Sequence, residues 1–337
     1  MKKMLLPVLF CLAVAVCRAE GPYHFIKEIP VGSEGGWDAL TVDSAGQRLY
    51  VSHGTKVVVI DLAKDQVAGE ITNTPGVHGI AIAPKLNRGF TSNGRENKVS
   101  IVDLKTLLTI SKVDTGTNPD AILFEPGQKE VYAFNGRGQS ATVIDAKSGK
   151  AVATIPLGGK PEFAEADSKA GRVFNNLEDK NEVAVIDTKT PTVVTNWPIA
   201  PGEEASGIAI DLKNHRLFLG CGGSKTMVMM DSTSGKVIAS VPIGPGVDGS
   251  AFDPGTGFAF ASCGGDGTTT IAHEDTPDKL TVVQTLTTER GARTMAIDPK
   301  THTIYLPSAK FAAPAEGQRR GKMVPGSLKI LVYGMEK

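Results

Sequence analysis

A motif that recurs seven times along the chain constrains its fold more than any other feature. Each copy has an apolar run, a turn that Asp usually opens, and a second apolar run with an aromatic residue seven positions after the turn residue. Successive turn residues are 40 to 45 positions apart. The turn residues are Asp43, Ala83, Glu125, Asp167, Asp211, Asp253 and Asp298, and the aromatic residues are Tyr50, Phe90, Tyr132, Phe174, Phe218, Phe260 and Tyr305. A repeat of this length is typical of solenoids and propellers.

Each repeat contains the pattern of four short strands. The two apolar runs flank a turn rich in Asp, Pro, Gly and Lys, which is typical of a β-hairpin. A third run ends in a hydrophobic residue followed by Asp, as in 56–61 and 182–187, and a fourth run follows, as in 150–158 and 236–244. Four strands in a repeat of this length are one propeller blade, so the sequence predicts an all-β, seven-bladed β-propeller.

The two ends of the chain predict how the propeller closes. Residues 25–32 resemble a fourth strand but have no three strands before them, whereas the last repeat ends after its third strand, at 328–334. We therefore expect the N-terminal strand to complete the last blade, which removes the exposed edges of an open stack. The predicted domain organisation is a single propeller over residues 20–337.

The first residues are typical of a signal peptide. Lys2 and Lys3 precede an apolar run over 4–16, and small residues occupy the positions that a signal peptidase reads, which predicts a leader over 1–19. The apolar run is shorter than the roughly 20 residues that a membrane span needs. We therefore expect a periplasmic or secreted protein with no membrane span in the mature chain.

The repeats also resemble a known family. The aromatic-led tetrapeptides at 50–53, 90–93 and 132–135, followed by strands that end in Val-Ile-Asp or Ile-Val-Asp, are similar to those of YVTN-repeat β-propellers. Together with the leader, they make the chain resemble the YncE-like secreted group. The resemblance implies the propeller fold over the mature chain, but relatives on similar propellers include both binding proteins and enzymes.

The charge of the chain argues against a nucleic-acid partner. The 36 Lys and Arg balance the 36 Asp and Glu, and removal of the leader takes three basic residues away, which leaves a net charge of −3. Such a chain has no general basic field that would hold nucleic acid. We expect a monomer whose partner is a small molecule or an envelope protein.

The repeat predicts two rings of side chains on one face of the propeller. In a four-stranded meander, the start of the first strand and the end of the second strand lie at the same edge. The first ring is Asp38, His78, Asp120, Glu162, Ser206, Asp248 and Arg293, and the second ring is His53, Asn93, Asn135, Leu177, Cys221, Cys263 and Ser308. Both are expected to face one cavity. Trp37 stands at its entrance, where it either stacks on a ligand or packs between blades.

The first ring is a candidate cation site. Its four carboxylates outnumber its one arginine, which either raises the pKa of some carboxyls or recruits a cation. We predict Asp38, Glu162 and Asp248 as metal ligands. A set of oxygen ligands favours calcium, whereas participation of His53 or His78 favours zinc. The sequence suggests no other cofactor, and the alternative is a channel mouth with solvated charges.

Cys221 and Cys263 occupy the same repeat position in adjacent blades. Export would place them in an oxidising compartment, where a disulfide is permitted. The sequence leaves two alternatives open, namely a disulfide between the blades and two reduced thiols that face the cavity.

The seventh repeat has a long insertion between its second and third strands. It adds 17 residues relative to the first repeat and contains Lys310, Arg319, Arg320 and Lys322. A basic segment next to an acidic ring could cover the cavity or receive an anionic group. The alternative is an ordinary solvated loop.

No nucleophile motif is present in the sequence. It has no Gly-x-Ser-x-Gly elbow, no His-Glu-x-x-His pair and no Walker loop. We therefore favour a binding or interaction module that holds its ligand or protein partner on the ring face. The predicted binding residues are Trp37, Asp38, His53, His78, Asp120, Glu162, Asp248 and Arg293. The alternative is a metal-dependent hydrolase of the lactonase type, in which a metal polarises a carbonyl and a carboxylate acts as base.

Overall fold

The structure, a computed structural model, describes residues 21–32, 35–313 and 321–335. The predicted leader and the basic residues Arg319 and Arg320 lie outside these ranges. Within them, 28 strands form seven four-stranded antiparallel sheets, as the repeat predicts. No helix in these ranges has the length and apolar character needed to cross a bilayer.

Six blades consist of four consecutive strands each, and every strand pairs with the next. Blade 1 is β2–β5 (Trp37–Asp43, Arg48–His53, Lys56–Asp61, Gln66–Ile71), blade 2 is β6–β9 (Val77–Ala83, Arg88–Asn93, Lys98–Asp103, Thr109–Asp114), and blade 3 is β10–β13 (Pro119–Glu125, Glu130–Asn135, Ser140–Asp145, Lys150–Pro156). Blade 4 is β14–β17 (Pro161–Asp167, Arg172–Leu177, Glu182–Asp187, Thr192–Pro198), blade 5 is β18–β21 (Ala205–Asp211, Arg216–Cys221, Thr226–Asp231, Val237–Pro242), and blade 6 is β22–β25 (Val247–Asp253, Phe258–Cys263, Thr268–Thr276, Lys279–Thr287).

Blade 7 combines both ends of the chain. It contains β26 (Ala296–Asp298), β27 (Thr303–Ser308), β28 (Lys329–Met335) and, as its outer strand, β1 (Tyr23–Pro30). Strands β1 and β28 are antiparallel, with Tyr23 opposite Met335 and Pro30 opposite Lys329. The predicted closure of the ring by the N-terminal strand is confirmed.

The aromatic residues of the repeat form the core between blades. All seven side chains are buried, with relative exposures of 6% or less. Tyr50 of blade 1, for example, packs with Ile80 and Val102 of blade 2. Burial of a large apolar side chain contributes roughly 1.5–3 kcal/mol to stability, so the column of aromatic residues joins the blades into one ring.

The hydrophobic-Asp pairs of the repeat terminate the third strands. Oδ1 of Asp61 accepts hydrogen bonds from the backbone N–H groups of Ala63 and Lys64, at 3.0 and 3.1 Å. In the corresponding turn of blade 4, Asp187 Oδ1 accepts the same two hydrogen bonds, from the backbone N–H groups of Lys189 and Thr190, at 3.0 and 2.9 Å. A short acidic side chain caps the backbone of a tight turn in this way, which explains why Asp recurs at these positions.

A β-bulge near the start of the inner strand positions the first ring in blades 1 to 6. In blade 2, Val77 pairs with Asn93 and Gly79 with Ser92, so that His78 has no partner of its own. Ser206 and Asp248 are unpaired in the same way. An extra residue in one strand bends that strand and redirects its side chain. The ring residues therefore belong to bulges at the axis rather than to the regular ladder.

Candidate functional site

Three side chains of the first ring meet at the axis. His78 Nδ1 lies 2.7 Å from Asp38 Oδ2 and 3.4 Å from Asp120 Oδ1. Ligand atoms of these three residues all lie within 4.8 Å of one another. Each side chain is 23 to 32% exposed, so the triad of Asp38, His78 and Asp120 is half-buried but accessible.

Burial and neighbouring charges shift the pKa values of the triad. Burial raises the pKa of Asp120 to about 6, although the nearby His78 opposes this shift. For His78, burial lowers the pKa, but the carboxylates of Asp38 and Asp120 outweigh it and raise the pKa above 6.5. The triad thus holds protons near neutral pH that a bound cation would have to displace.

Arg293, Ser206 and Asp248 form a second network, which reaches the triad through Arg293. Arg293 Nε lies 2.6 Å from Asp248 Oδ2, and Arg293 Nη2 lies 3.7 Å from Asp38 Oδ1. Ser206 Oγ donates to Asp248 Oδ1 at 2.8 Å. Arg293 and Ser206 therefore bind both carboxylate oxygens of Asp248.

Glu162 is paired with a lysine that the repeat did not indicate. Lys160 Nζ lies 2.8 Å from Glu162 Oε1 and also contacts Glu178. Burial raises the pKa of Glu162 to about 7, although Lys160 opposes the shift. The predicted metal ligands Asp38, Glu162 and Asp248 are thus not the set that the structure brings together, because Lys160 and Arg293 engage two of them. Among the described residues, that set is Asp38, His78 and Asp120.

The second ring does not face the cavity, so that part of the prediction is wrong. Each of its members in blades 1 to 6 pairs with the residue before the bulge, as His53 does with Trp37. Paired residues share one face of the sheet. On that face, Leu177, Cys221 and Cys263 pack with residues of the preceding blade. His53 is 1% exposed, and its Nδ1 lies 3.0 Å from Gly36 O. Its predicted place in the cavity is therefore not observed.

The two cysteines lie in different parts of the core. Cys221 packs among residues of blades 4 and 5, and Cys263 among residues of blades 5 and 6. Both thiols are free and fully buried. Burial raises the pKa of Cys221 to about 12 and that of Cys263 to about 11. The structure contains two reduced thiols and no disulfide between them, but both thiols are enclosed in the core and do not face the cavity.

A groove of about 580 Å³ opens beside the triad and contains two arginines that the ring prediction missed. Arg95 and Arg137 line it together with Asn118, and both arginines are exposed. Neither takes part in an ion pair with another described residue. Each follows an Asn-Gly pair at the end of a second strand, and this repeated Asn-Gly-Arg was the available signal.

Trp37 packs beneath the long insertion of blade 7. It is 7% exposed, and the centre of its ring lies 6.0 Å from that of Phe311. Its neighbours include Ala309 and Leu328, which frame the insertion. Ala312 N donates to Lys322 O at 2.8 Å, so the base of the insertion is an ordered pair of segments beside the groove. Trp37 therefore packs against its neighbours and is not exposed to stack on a ligand, although it contributes to the wall of the groove.

Comparisons with known proteins support the fold and say little about the ligand. No protein-family profile matches the chain. The chain is 26% identical over 98 residues to the uncharacterized protein YncE of Salmonella typhimurium, and equally to that of Salmonella typhi. The aligned segment spans 28% of this chain and 28% of the length of these relatives. The structure is similar to a chain of Kuenenia stuttgartiensis hydrazine synthase, with a TM-score of 0.71 and 19% identity over 82% of this chain and 94% of that chain. The YncE-like propeller resemblance seen in the repeats is thus supported.

Proposed function

We propose that this protein is an exported binding module, periplasmic or secreted, that holds a divalent cation on Asp38, His78 and Asp120. The main support is the approach of two carboxylates and one imidazole to within 4.8 Å of one another at the axis. The propeller fold and the similarity to YncE agree with an interaction module in general terms.

The ligand set favours zinc, or another first-row metal, over calcium. Zinc binds imidazole nitrogen and carboxylate oxygen in small sets of ligands, whereas calcium prefers about six to eight oxygens. Asp248 cannot easily add an oxygen, because Arg293 and Ser206 already bind its carboxylate. Asp38 and His78 line the groove, so a metal held there would be accessible to a partner in it.

The groove favours an anionic group on the partner. Arg95 and Arg137 provide two guanidinium groups within the same groove as the triad. A carboxylate or phosphate of a small molecule, or an acidic side chain of an envelope protein, would complete the coordination of the metal and pair with an arginine. The proposed partner is therefore an anionic metal ligand rather than a nucleic acid duplex.

Metal titration of the purified protein tests this function. We expect Zn²⁺ to bind and to raise the free energy of unfolding by about 2.7 kcal/mol at a concentration one hundred times its Kd, whereas Ca²⁺ has little effect. Asp120→Asn and His78→Gln should abolish the response. Asp114→Asn removes the same charge from a side chain that is 87% exposed, and it should respond like the wild type. A wild-type protein that ignores Zn²⁺, or an Asp120→Asn variant that binds it normally, would overturn the proposal.

A metal-dependent hydrolase of the lactonase type is the second candidate, because of Glu162. A carboxyl with a pKa of about 7 in the ring is suited to act as a general base at neutral pH. A panel of lactones and esters, assayed with the zinc-loaded protein, separates the two candidates. Turnover that Glu162→Gln abolishes while zinc binding persists would favour the hydrolase, and the absence of turnover would favour the binding module.

A further inference from the structure

A second cavity, of about 370 Å³, follows the axis between the ring and the opposite face. Its lining comes from the inner strands of blades 1, 4, 5, 6 and 7. At one end are Ala39 and Thr294, each one position beyond a ring residue, and at the other are Ile210 and Phe252, each one position before a turn residue. Most of the lining residues are of apolar type, and backbone groups and a few polar side chains complete the walls.

One column of the inner strands explains the space. The third residue after each ring residue is Thr41, Ala81, Leu123, Glu165, Ala209, Ala251 and Ala296. Three alanines in successive blades leave a gap at the axis, and the cavity lies along them. Glu165, in the blade before these alanines, is the charged member of the column and lines the cavity.

The carboxyl of Glu165 has no ionic partner among the described residues. Burial raises its pKa to about 7, and the backbone N–H of Ala166 opposes the shift. The side chain is nevertheless half-buried rather than enclosed, because it borders the cavity. The other polar groups of the wall are engaged or enclosed, since Thr294 Oγ1 donates to Asp38 O at 2.9 Å and Ser250 Oγ has no accessible surface.

We infer that this axial cavity binds a small organic ammonium ion, with its nitrogen on the Glu165 carboxylate and its apolar group against the alanine-rich wall. A partly buried carboxylate without an ionic partner is unfavourable, and an ammonium group supplies both the charge and the hydrogen-bond donors. The apolar walls provide the remaining binding energy. The volume is within the range of small-molecule sites.

A metal ion fits this cavity less well than an organic cation. One carboxylate and apolar walls do not supply the three or more ligands that a protein-bound metal ordinarily takes. Leu40, Phe163 and Met295 line the cavity and bury apolar area only against an organic group. The site is independent of the triad, so its test does not depend on the function proposed above.

Benzylamine and benzyl alcohol are suitable probes, because they have similar shapes and only the amine is cationic at neutral pH. We expect calorimetry to detect benzylamine binding and to find the alcohol bound about 10- to 100-fold more weakly. Glu165→Gln keeps the shape of the side chain and removes its charge, so it should weaken benzylamine binding by about the same factor and leave the alcohol unaffected. Glu182→Gln, on β16 of the same blade, is the matched control and should bind like the wild type.

Two further measurements keep the test decisive. Ala251→Val narrows the cavity without touching Glu165 and should weaken both probes together. Saturation of the protein with Zn²⁺ should leave benzylamine binding unchanged, whereas competition would place the amine at the triad. Absence of benzylamine binding, equal affinity for the two probes, or an unaffected Glu165→Gln variant would each overturn the inference.

Discussion

A cation bound at the proposed site would compete with a proton for the imidazole of His78. Asp38 and Asp120 both approach its Nδ1, at 2.7 and 3.4 Å. The same carboxylates that would neutralise a metal also favour the protonated ring, so the triad without metal is stabilised by a proton. Metal binding at this site must therefore release protons.

Zinc affinity should consequently depend on pH. The neighbouring carboxylates raise the pKa of His78, so the zinc affinity should fall by about tenfold per pH unit wherever His78 is protonated. Below about pH 6 it should fall more steeply, because Asp120 also binds a proton there. Calorimetry between pH 5.5 and 8 in buffers of different ionisation enthalpy measures both the affinity and the protons released. A pH-independent affinity would contradict a role for His78 as ligand.

Glu162 should make the protein less stable as the pH rises. Its pKa is raised from 4.5 to about 7, so between these values the native state keeps a proton that the unfolded chain has released. The free energy of unfolding then decreases with pH across this window. Glu162→Gln should reduce this slope, to which the raised pKa values of Glu165 and Asp120 also contribute, and gain on the order of 1–3 kcal/mol at pH 8 relative to the wild type. Chemical denaturation at pH 5 to 8 measures this, with Glu182→Gln as the variant that should retain the slope.

The buried thiols predict slow chemical modification. Cys221 and Cys263 are fully buried and have raised pKa values, so a thiol reagent at pH 8 should not react with the native protein. In denaturant the reagent should titrate two thiols per mature chain, because the other two of the four cysteines are in the predicted leader. Four thiols in the envelope-purified protein would contradict cleavage of the leader, and none would indicate oxidation.

At the scale of strands and turns, the repeat predicted the order of the strands but not the β-bulges within them. Seven blades, the turn residues and the position of the first ring follow from a period of 40 to 45 residues. The bulge that presents Asp38 to the axis is one extra residue in a strand, and it leaves no mark in composition. His53 lies opposite Trp37, the residue before the bulge, and is buried, whereas Asp38 belongs to the bulge itself.

The ion pairs of the ring could also not be predicted from the sequence. Lys160 lies in the segment between blades 3 and 4, outside the repeated positions, and only the folded chain brings its amine to Glu162. The repeat predicted Arg293 as a ring residue, but its ion pairs with Asp248 at 2.6 Å and Asp38 at 3.7 Å depend on distances that only the folded chain fixes. For this reason, the metal ligands that we predicted from charge alone share only Asp38 with the triad that the fold brings together.

The closing strand gives a prediction at the same scale. Ile29 on β1 is fully buried and packs with Leu49 and Ile330. Ile29→Ala should lower the free energy of unfolding by about 2–5 kcal/mol, because it leaves a cavity between blades 7 and 1. Ile26→Ala, on the same strand but 46% exposed, should change it by no more than about 0.5 kcal/mol. Equal effects of the two changes in urea denaturation would contradict the observed register of β1.

At the scale of the whole molecule, the two cavities have opposite characters on one axis. The groove at the ring face is lined by Asp38, His78 and two arginines, whereas most residues that line the axial cavity are apolar and Glu165 is the one acid among them. The proposed metal site would then lie on the ring face and the proposed organic ammonium site in the interior. Size-exclusion chromatography should find a monomer, since seven closed blades leave no sheet that needs a second chain for completion.

Blade 7 takes one strand from the beginning of the chain and three from its end, so the order of synthesis differs from the order of assembly. Early blades can form while later residues are still emerging, but Tyr23 cannot meet Met335 until translation is nearly finished. Until then the nascent protein lacks the pairing of β1 with β28 that closes the ring. If the proposed export takes place before folding, this topology favours it, because the ring cannot close until the last strand has been made.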